Sequence, residues 1–173
     1  MIHLLRGINV GGHKKIPKEQ LRECYERLGL ENVRTYIQSG NVVFDSAEVD
    51  NSALEASIKE VTGFDVPGML FTDEEWKELM TKAPNAYEEL DKEIKKYITL
   101  LQHEPTEESV NALRDKLTPE ETLSHYKRAL FLHYPADLKK PFFTNVALEK
   151  TLKQSGTTRN WNTMKALLKM IGD

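Results

Sequence analysis

The chain opens on a dense apolar run, Ile2 to Ile8, which predicts a buried strand ended by glycines. Leu21, Cys24, Tyr25 and Leu28 then recur at helical spacing, with Pro17 as a start signal and Gly29 as a stop. Two short runs, RTYIQS and NVVFDS, flank Ser39-Gly40-Asn41 and predict a β-hairpin. Ser52 and Glu55 form a capping-box pattern ahead of Leu54, Ile58 and Val61, and Gly63 closes that helix. VPGMLF predicts a fourth strand. The order over residues 1–72 is therefore β-α-β-β-α-β, the split βαβ or ferredoxin-like motif.

The pattern then partly repeats. Thr72 and Glu75 make a second capping box and open a helix carrying Trp76, Leu79 and Met80, read as a connector over 73–94. Over 95–173, KKYITLLQ predicts a strand, and Pro105-Thr106 starts a helix through Val110, Leu113 and Leu117. TLSHYKR and ALFLHY predict a strand pair, and Thr144 caps a helix with Phe143 and Leu148 at staple positions. Where a fourth strand would fall, NWNTMKALLKMI instead places Trp161, Met164, Leu168 and Ile171 on one helical face. The expectation is an α+β protein of two ferredoxin-like halves with antiparallel sheets, the second a partial one closed by a C-terminal helix.

At 173 residues with 39% hydrophobic positions, the chain is long enough for a buried core. No apolar run reaches membrane-spanning length, and Arg6 interrupts the N-terminal stretch too early for a secretory signal. Cys24 is the only cysteine, so an intramolecular disulfide and a thiolate metal cluster are excluded. A cytoplasmic protein is expected. With 24 basic against 27 acidic residues, no overall field draws it to nucleic acid or anionic lipid. The charges are uneven: Arg6, His13, Lys14, Lys15 and Arg34 gather near the start, whereas 73–93 is acidic and reads as a solvated helical face.

Residues 4–15, LLRGINVGGHKK, reproduce the glycine spacing of a P-loop through Gly7 and Gly12. The next two positions are His13 and Lys14, not the lysine and hydroxyl that phosphate and magnesium require, so nucleotide hydrolysis is not expected. The loop still carries Arg6, Asn9, Lys14 and Lys15 beside Gly7, Gly11 and Gly12, a set suited to receiving an anion. Near the other terminus, GTTRNWNT offers Thr158 or Asn160 as a helix cap with Arg159 beside it. A cation there opposes the helix dipole and points to an acidic partner; the plainer alternative is an internal ion pair with Trp161 in the core. An RNA-recognition motif shares the strand order and stacks bases on aromatics such as Tyr36 and Phe44, but its basic-glycine-aromatic consensus is missing and Phe44 reads as core. No paired histidine spacing marks a metal site, and Cys24 lies on the apolar face of its helix. Acidic pairs such as Glu74-Glu75 sit at helix starts and serve the dipole.

Taken together, LLRGINVGGHKKIP, VRTYIQSGNVVF, FDVP, FLHYP and TTRNWNT closely resemble the bacterial domain-of-unknown-function family sixteen-ninety-seven. The resemblance covers nearly the whole chain and implies a ferredoxin-like α+β architecture with no established activity. One departure is that Pro135 leads into ADLKKPFFTN where the family often has a glycine-bearing turn. The functional expectation is a non-hydrolytic binding protein for a phosphate-bearing ligand, a nucleotide or another anionic small molecule. Its site is drawn from Arg6, Gly7, Asn9, Gly11, Gly12, Lys14, Lys15, Arg34, Tyr36, Arg159, Asn160 and Trp161. The alternatives are nucleic-acid binding through the same groove, with Tyr36 or Trp161 stacking on a base, and a self-associating interaction module. No catalytic residue, cofactor, metal or membrane partner is expected.

Overall fold

The computed structural model describes residues 1–46, 48–88 and 93–172. The chain divides into two units, one comprising Met1–Lys77 with Ala166–Asp173 and the other Glu78–Lys165.

In the first unit the order is β1 (Ile2–Leu5), α1 (Lys18–Glu26), β2 (Glu31–Tyr36), β3 (Asn41–Asp45), α2 (Asn51–Thr62) and β4 (Gly68–Phe71). The strands form one antiparallel sheet in the order β2-β3-β1-β4. Alternation along the strands sends Leu5, Val33, Val42 and Phe44 to the helix side. There they pack with Leu21, Cys24 and Tyr25 of α1 and Leu54 and Ile58 of α2. His3 also points that way: it is fully buried, and its Nδ1 lies 2.7 Å from the Tyr25 hydroxyl. Its Nε2 presses on β4 so closely that a Cβ at residue 68 would come within 1.9 Å, which explains Gly68. The α2 cap differs from expectation. Asp50 accepts from the Ser52 amide, so the helix starts before Ser52, and Glu55 turns to Asn51 and to the Gly68 amide instead of closing a box.

Helix α3 (Asp73–Thr81) does open on a reciprocal capping box: Thr72 N donates to Glu75 and Glu75 N to the Thr72 hydroxyl. It ends well before residue 94. Pro84 follows within three residues and cannot continue a helix, and a single 3-10 turn occupies Asn85–Tyr87. The connector expected over 73–94 is therefore shorter, and its part at 89–92 lies outside the described residues.

The second unit runs β5 (Ile94–Leu101), α4 (Glu107–Arg114), β6 (Thr122–Tyr126), β7 (Ala129–Pro135), α5 (Asn145–Leu152) and β8 (Gly156–Asn160), followed by α6 (Trp161–Gly172), which leads back to the first unit. Its sheet order is β6-β7-β5-β8, the counterpart of the first sheet. This corrects the expectation that the second half lacks a fourth strand: β8 pairs antiparallel with β5 from Tyr97↔Asn160 to Leu101↔Gly156. The strand is only five residues long and mostly polar, and its hydroxyls are used across the ladder, with Thr99 and Thr158 2.7 Å apart. Such a strand leaves no apolar alternation to read. Thr106 and Thr144 cap α4 and α5 through the amides three residues on. Leu101, Val110, Leu113, Leu130, Leu132 and Leu148 form the core beneath them.

Candidate functional site

The loop after β1 doubles back on itself. Val10 and His13 pair as an isolated bridge, and Gly7, Asn9, Gly11, Gly12 and Lys14 all take positive φ. Asn9 organises this backbone. Its Oδ1 accepts from Ile16 N at 2.9 Å, while Nδ2 donates to Ile16 O and, at 2.9 Å, to Gln38 O in the β2–β3 turn. Both ends of this amide are committed, so Asn9 shapes the site more than it contacts a guest. Lys14 is committed as well, donating Nζ to the Asp65 carbonyl. Gly40 completes the junction: its O accepts from Leu5 N at 2.7 Å, and a Cβ on it would stand 2.7 Å from Leu5 Cβ at a φ of +76°.

Between loop, helix and turn lies a cleft of about 270 Å³. Asn9, Gly12 and Lys15 line it, with Lys18, Leu21, Thr35, Ile37 and Gln38 among the other residues of the wall. Among the described residues no carboxylate belongs to that lining. Lys15 is exposed, and neither it nor Lys18 makes an ion pair or hydrogen bond through its ammonium group among the described residues. Helix α1 begins here without a capping side chain, because Pro17 stands at its N-cap and has none to offer. The next amides therefore face the cleft end of the helix unsatisfied by protein side chains.

The other expected site residues fall elsewhere. Arg6 and Gly7 are not part of the cleft wall, and neither are Gly11 and Lys14. Arg34 and Tyr36 lie on the sheet face opposite Thr35, as strand alternation requires. Arg34 lines a separate groove of about 730 Å³, where Arg22, Glu26, Asp45 and Asp73 mix both signs of charge. Phe44 is fully buried and available to no base.

In the second unit, Arg159 sits within β8, not at a helix start. It is 8% exposed, donates to the Thr157 hydroxyl at 2.7 Å and to Thr158 O, and burial pulls its pKa down to about 10. Asn160 is the cap of α6, accepting from Thr163 N at 2.8 Å. Trp161 is 4% exposed and packs edge-on against Tyr87, so its ring presents no stacking surface. These three residues are accounted for by strand, cap and core.

Cys24 is buried, its Sγ contacts Gln20 O at 3.2 Å, and burial pushes the thiol up to about 11, the opposite of an activated nucleophile. Among the described residues no group of histidine, cysteine and carboxylate side chains is placed to hold a metal ion. No helix among them is long and apolar enough to cross a membrane.

The profile of a family described as a protein of unknown function, DUF1697, matches residues 1–131. The chain belongs to that family. The DUF1697 match contains the whole loop and cleft and stops before the 156–163 segment. Among solved structures, the conserved bacterial protein SP0830 of Streptococcus pneumoniae is similar over 98% of this chain and 96% of its own, at 24% identity and a TM-score of 0.74. At that identity the likeness shows a shared fold. No curated protein matches the chain in sequence.

Of the residues put forward from the sequence, Asn9, Gly12 and Lys15 line this cleft, whereas Lys18, Leu21, Thr35, Ile37 and Gln38 were not among them. A signal for Lys18 existed: it follows Lys14 and Lys15 across Ile16-Pro17 into the first helical turn. For the wall from β2 there was none, since only the fold brings residues 35–38 beside residue 15.

Proposed function

We propose that the cleft between the first loop and the start of α1 binds a phosphate-bearing or other anionic small ligand without hydrolysing it. The carrying observation is that Lys15 and Lys18 bring two ammonium-bearing side chains to one concavity whose lining holds no carboxylate. Unneutralised cations around a concave surface raise the local concentration of anions even on a chain of net charge −3. The uncapped amides of α1 add donors of the kind that hold phosphate oxygens, and the dipole of that helix favours negative charge there. Among the described residues the lining holds no histidine, cysteine or carboxylate beside its lysines and threonine, and the reading stops at binding. A cytoplasmic setting belongs to the same reading, on the strength of a single cysteine, which leaves no intramolecular disulfide. Nucleic acid draws less support. Both aromatics expected to stack on bases are missing from the cleft wall.

The test is a titration with inorganic phosphate and pyrophosphate, followed by thermal unfolding and by amide resonances of residues 9–18. A ligand at roughly a hundredfold its Kd adds about 2.7 kcal/mol of stability. Wild type is expected to gain stability, and a Lys15→Glu, Lys18→Glu double variant is expected to gain none. Unmoved melting temperature and unmoved resonances in wild type refute the proposal. Tight, strongly salt-dependent binding of a single-stranded oligonucleotide in preference to the small anions transfers the cleft to the nucleic-acid alternative.

A further inference from the structure

The cleft is not uniformly polar. Ile16, Leu21 and Ile37 line it together with the two lysines. Ile16 and Leu21 are buried from behind, but Ile37 is 49% exposed. It is also held at a φ of +49°. A β-branched residue is the least suited to that region, where glycine or asparagine would relieve the strain. The turn alone therefore gives no reason for an isoleucine, and water gives none for leaving it uncovered. Polar capacity flanks it. The Thr35 hydroxyl and the Gln38 side-chain amide make no hydrogen bond among the described residues, although Gln38 O is bound by Asn9.

Resting on the anion reading above, we infer that the ligand is a nucleoside monophosphate, its phosphate on Lys15 and Lys18 and its base covering Ile37 with an edge toward Gln38 and Thr35. Three features of the cleft select that class. Inorganic phosphate satisfies the lysines and leaves the apolar wall wet. A sugar phosphate surrounds its anion with hydroxyls and likewise offers nothing to Ile37. A nucleobase has two apolar faces and a rim of donors and acceptors, which matches an isoleucine flanked by an amide and a hydroxyl. A volume of about 270 Å³ lies just below the usual range for drug-sized ligands, a scale nearer to one nucleotide than to two.

The experiment is calorimetric titration of the full chain with inorganic phosphate, ribose 5-phosphate and each of the common ribonucleoside 5′-monophosphates. At least one monophosphate is expected to bind roughly tenfold tighter than either simpler probe. Ile37→Gly, which the positive φ accommodates, is expected to erase that preference, bringing monophosphate and phosphate affinities to within about twofold of each other. The Ile37 methyl resonances in wild type supply a readout that needs no variant: they shift with the nucleotide and stay with phosphate. If phosphate binds and no monophosphate binds better, or if Ile37→Gly keeps the preference, the inference falls and the anion reading stands. Silence from every probe removes both.

Discussion

Two segments of this chain read alike and behave in opposite ways. Residues 6–18 and residues 156–163 each combine glycine, a basic residue and the start of a helix. In the first, Pro17 leaves α1 uncapped, and Lys15 and Lys18 border an open cleft. In the second, the arginine is drawn into a strand, the asparagine closes the helix end, and the tryptophan fills the core. The difference shows that basic residues at a helix start stay available only when the local groups do not satisfy one another. Arg159 already has threonine and carbonyl partners, and the α6 amides already have Asn160. Near the first loop, Asn9 and Lys14 are spent on the backbone and the later lysines are left over.

The contrast can be broken most forcefully at Trp161. Trp161→Ala removes a buried ring that packs on Tyr87 and is expected to cost about 3–5 kcal/mol in denaturant unfolding. A loss under about 1 kcal/mol would return Trp161 to the candidate ligand contacts.

A pH dependence comes next. Burial holds His3 near a pKa of about 3, against 6.5 in the unfolded chain. The unfolded state therefore takes up a proton that the folded state refuses. Stability is fully present above pH 6.5 and declines as pH falls toward 3, by up to about 1.4 kcal/mol per pH unit. Urea midpoints measured between those limits check the slope, and His3→Gln should flatten it.

Gly40→Ala should destabilise by about 1–3 kcal/mol, because the new Cβ meets Leu5 and the φ is left-handed. The same variant should weaken phosphate binding, since Gly40 also lines the cleft. Unchanged melting and unchanged affinity would show that the junction is softer than its geometry. Asn160→Ala should cost about 1 kcal/mol as a lost cap and leave phosphate affinity as it was. Loss of phosphate binding in that variant would erase the distinction between the two segments. Smallest in stability is the Lys15→Ala, Lys18→Ala pair, expected within about 0.5 kcal/mol of wild type in the absence of ligand. Its effect should appear only as the disappearance of phosphate-induced stabilisation in a melting experiment.

Much of the fold was legible because local signals and tertiary packing agree. Leu21, Cys24 and Tyr25 mark the buried stripe of α1, and Thr72 with Glu75 forms its box as written. The errors arose where a neighbour supplied what the local pattern did not. Strand β8 carries no hydrophobic alternation and is held by the β5 ladder. The cap of α2 fell to Asp50 because Glu55 was recruited by Asn51 and by the Gly68 amide on β4. On α6 Trp161 and Met164 are buried as expected, but the next buried position is Leu167, with Leu168 at its margin.

By itself, the order of residues determined the alternation of helices and strands, the glycine-rich reversal after β1 and the lysines that follow it. These depend on backbone preferences and spacing within a few residues. Only the tertiary structure decided which cations stay unpaired and which apolar side chains border them. That outcome depends on partners distant in sequence, as when Asn9 reaches Gln38 and Lys14 reaches Asp65. A charge is free or spent according to its neighbours in space, and no local pattern records them.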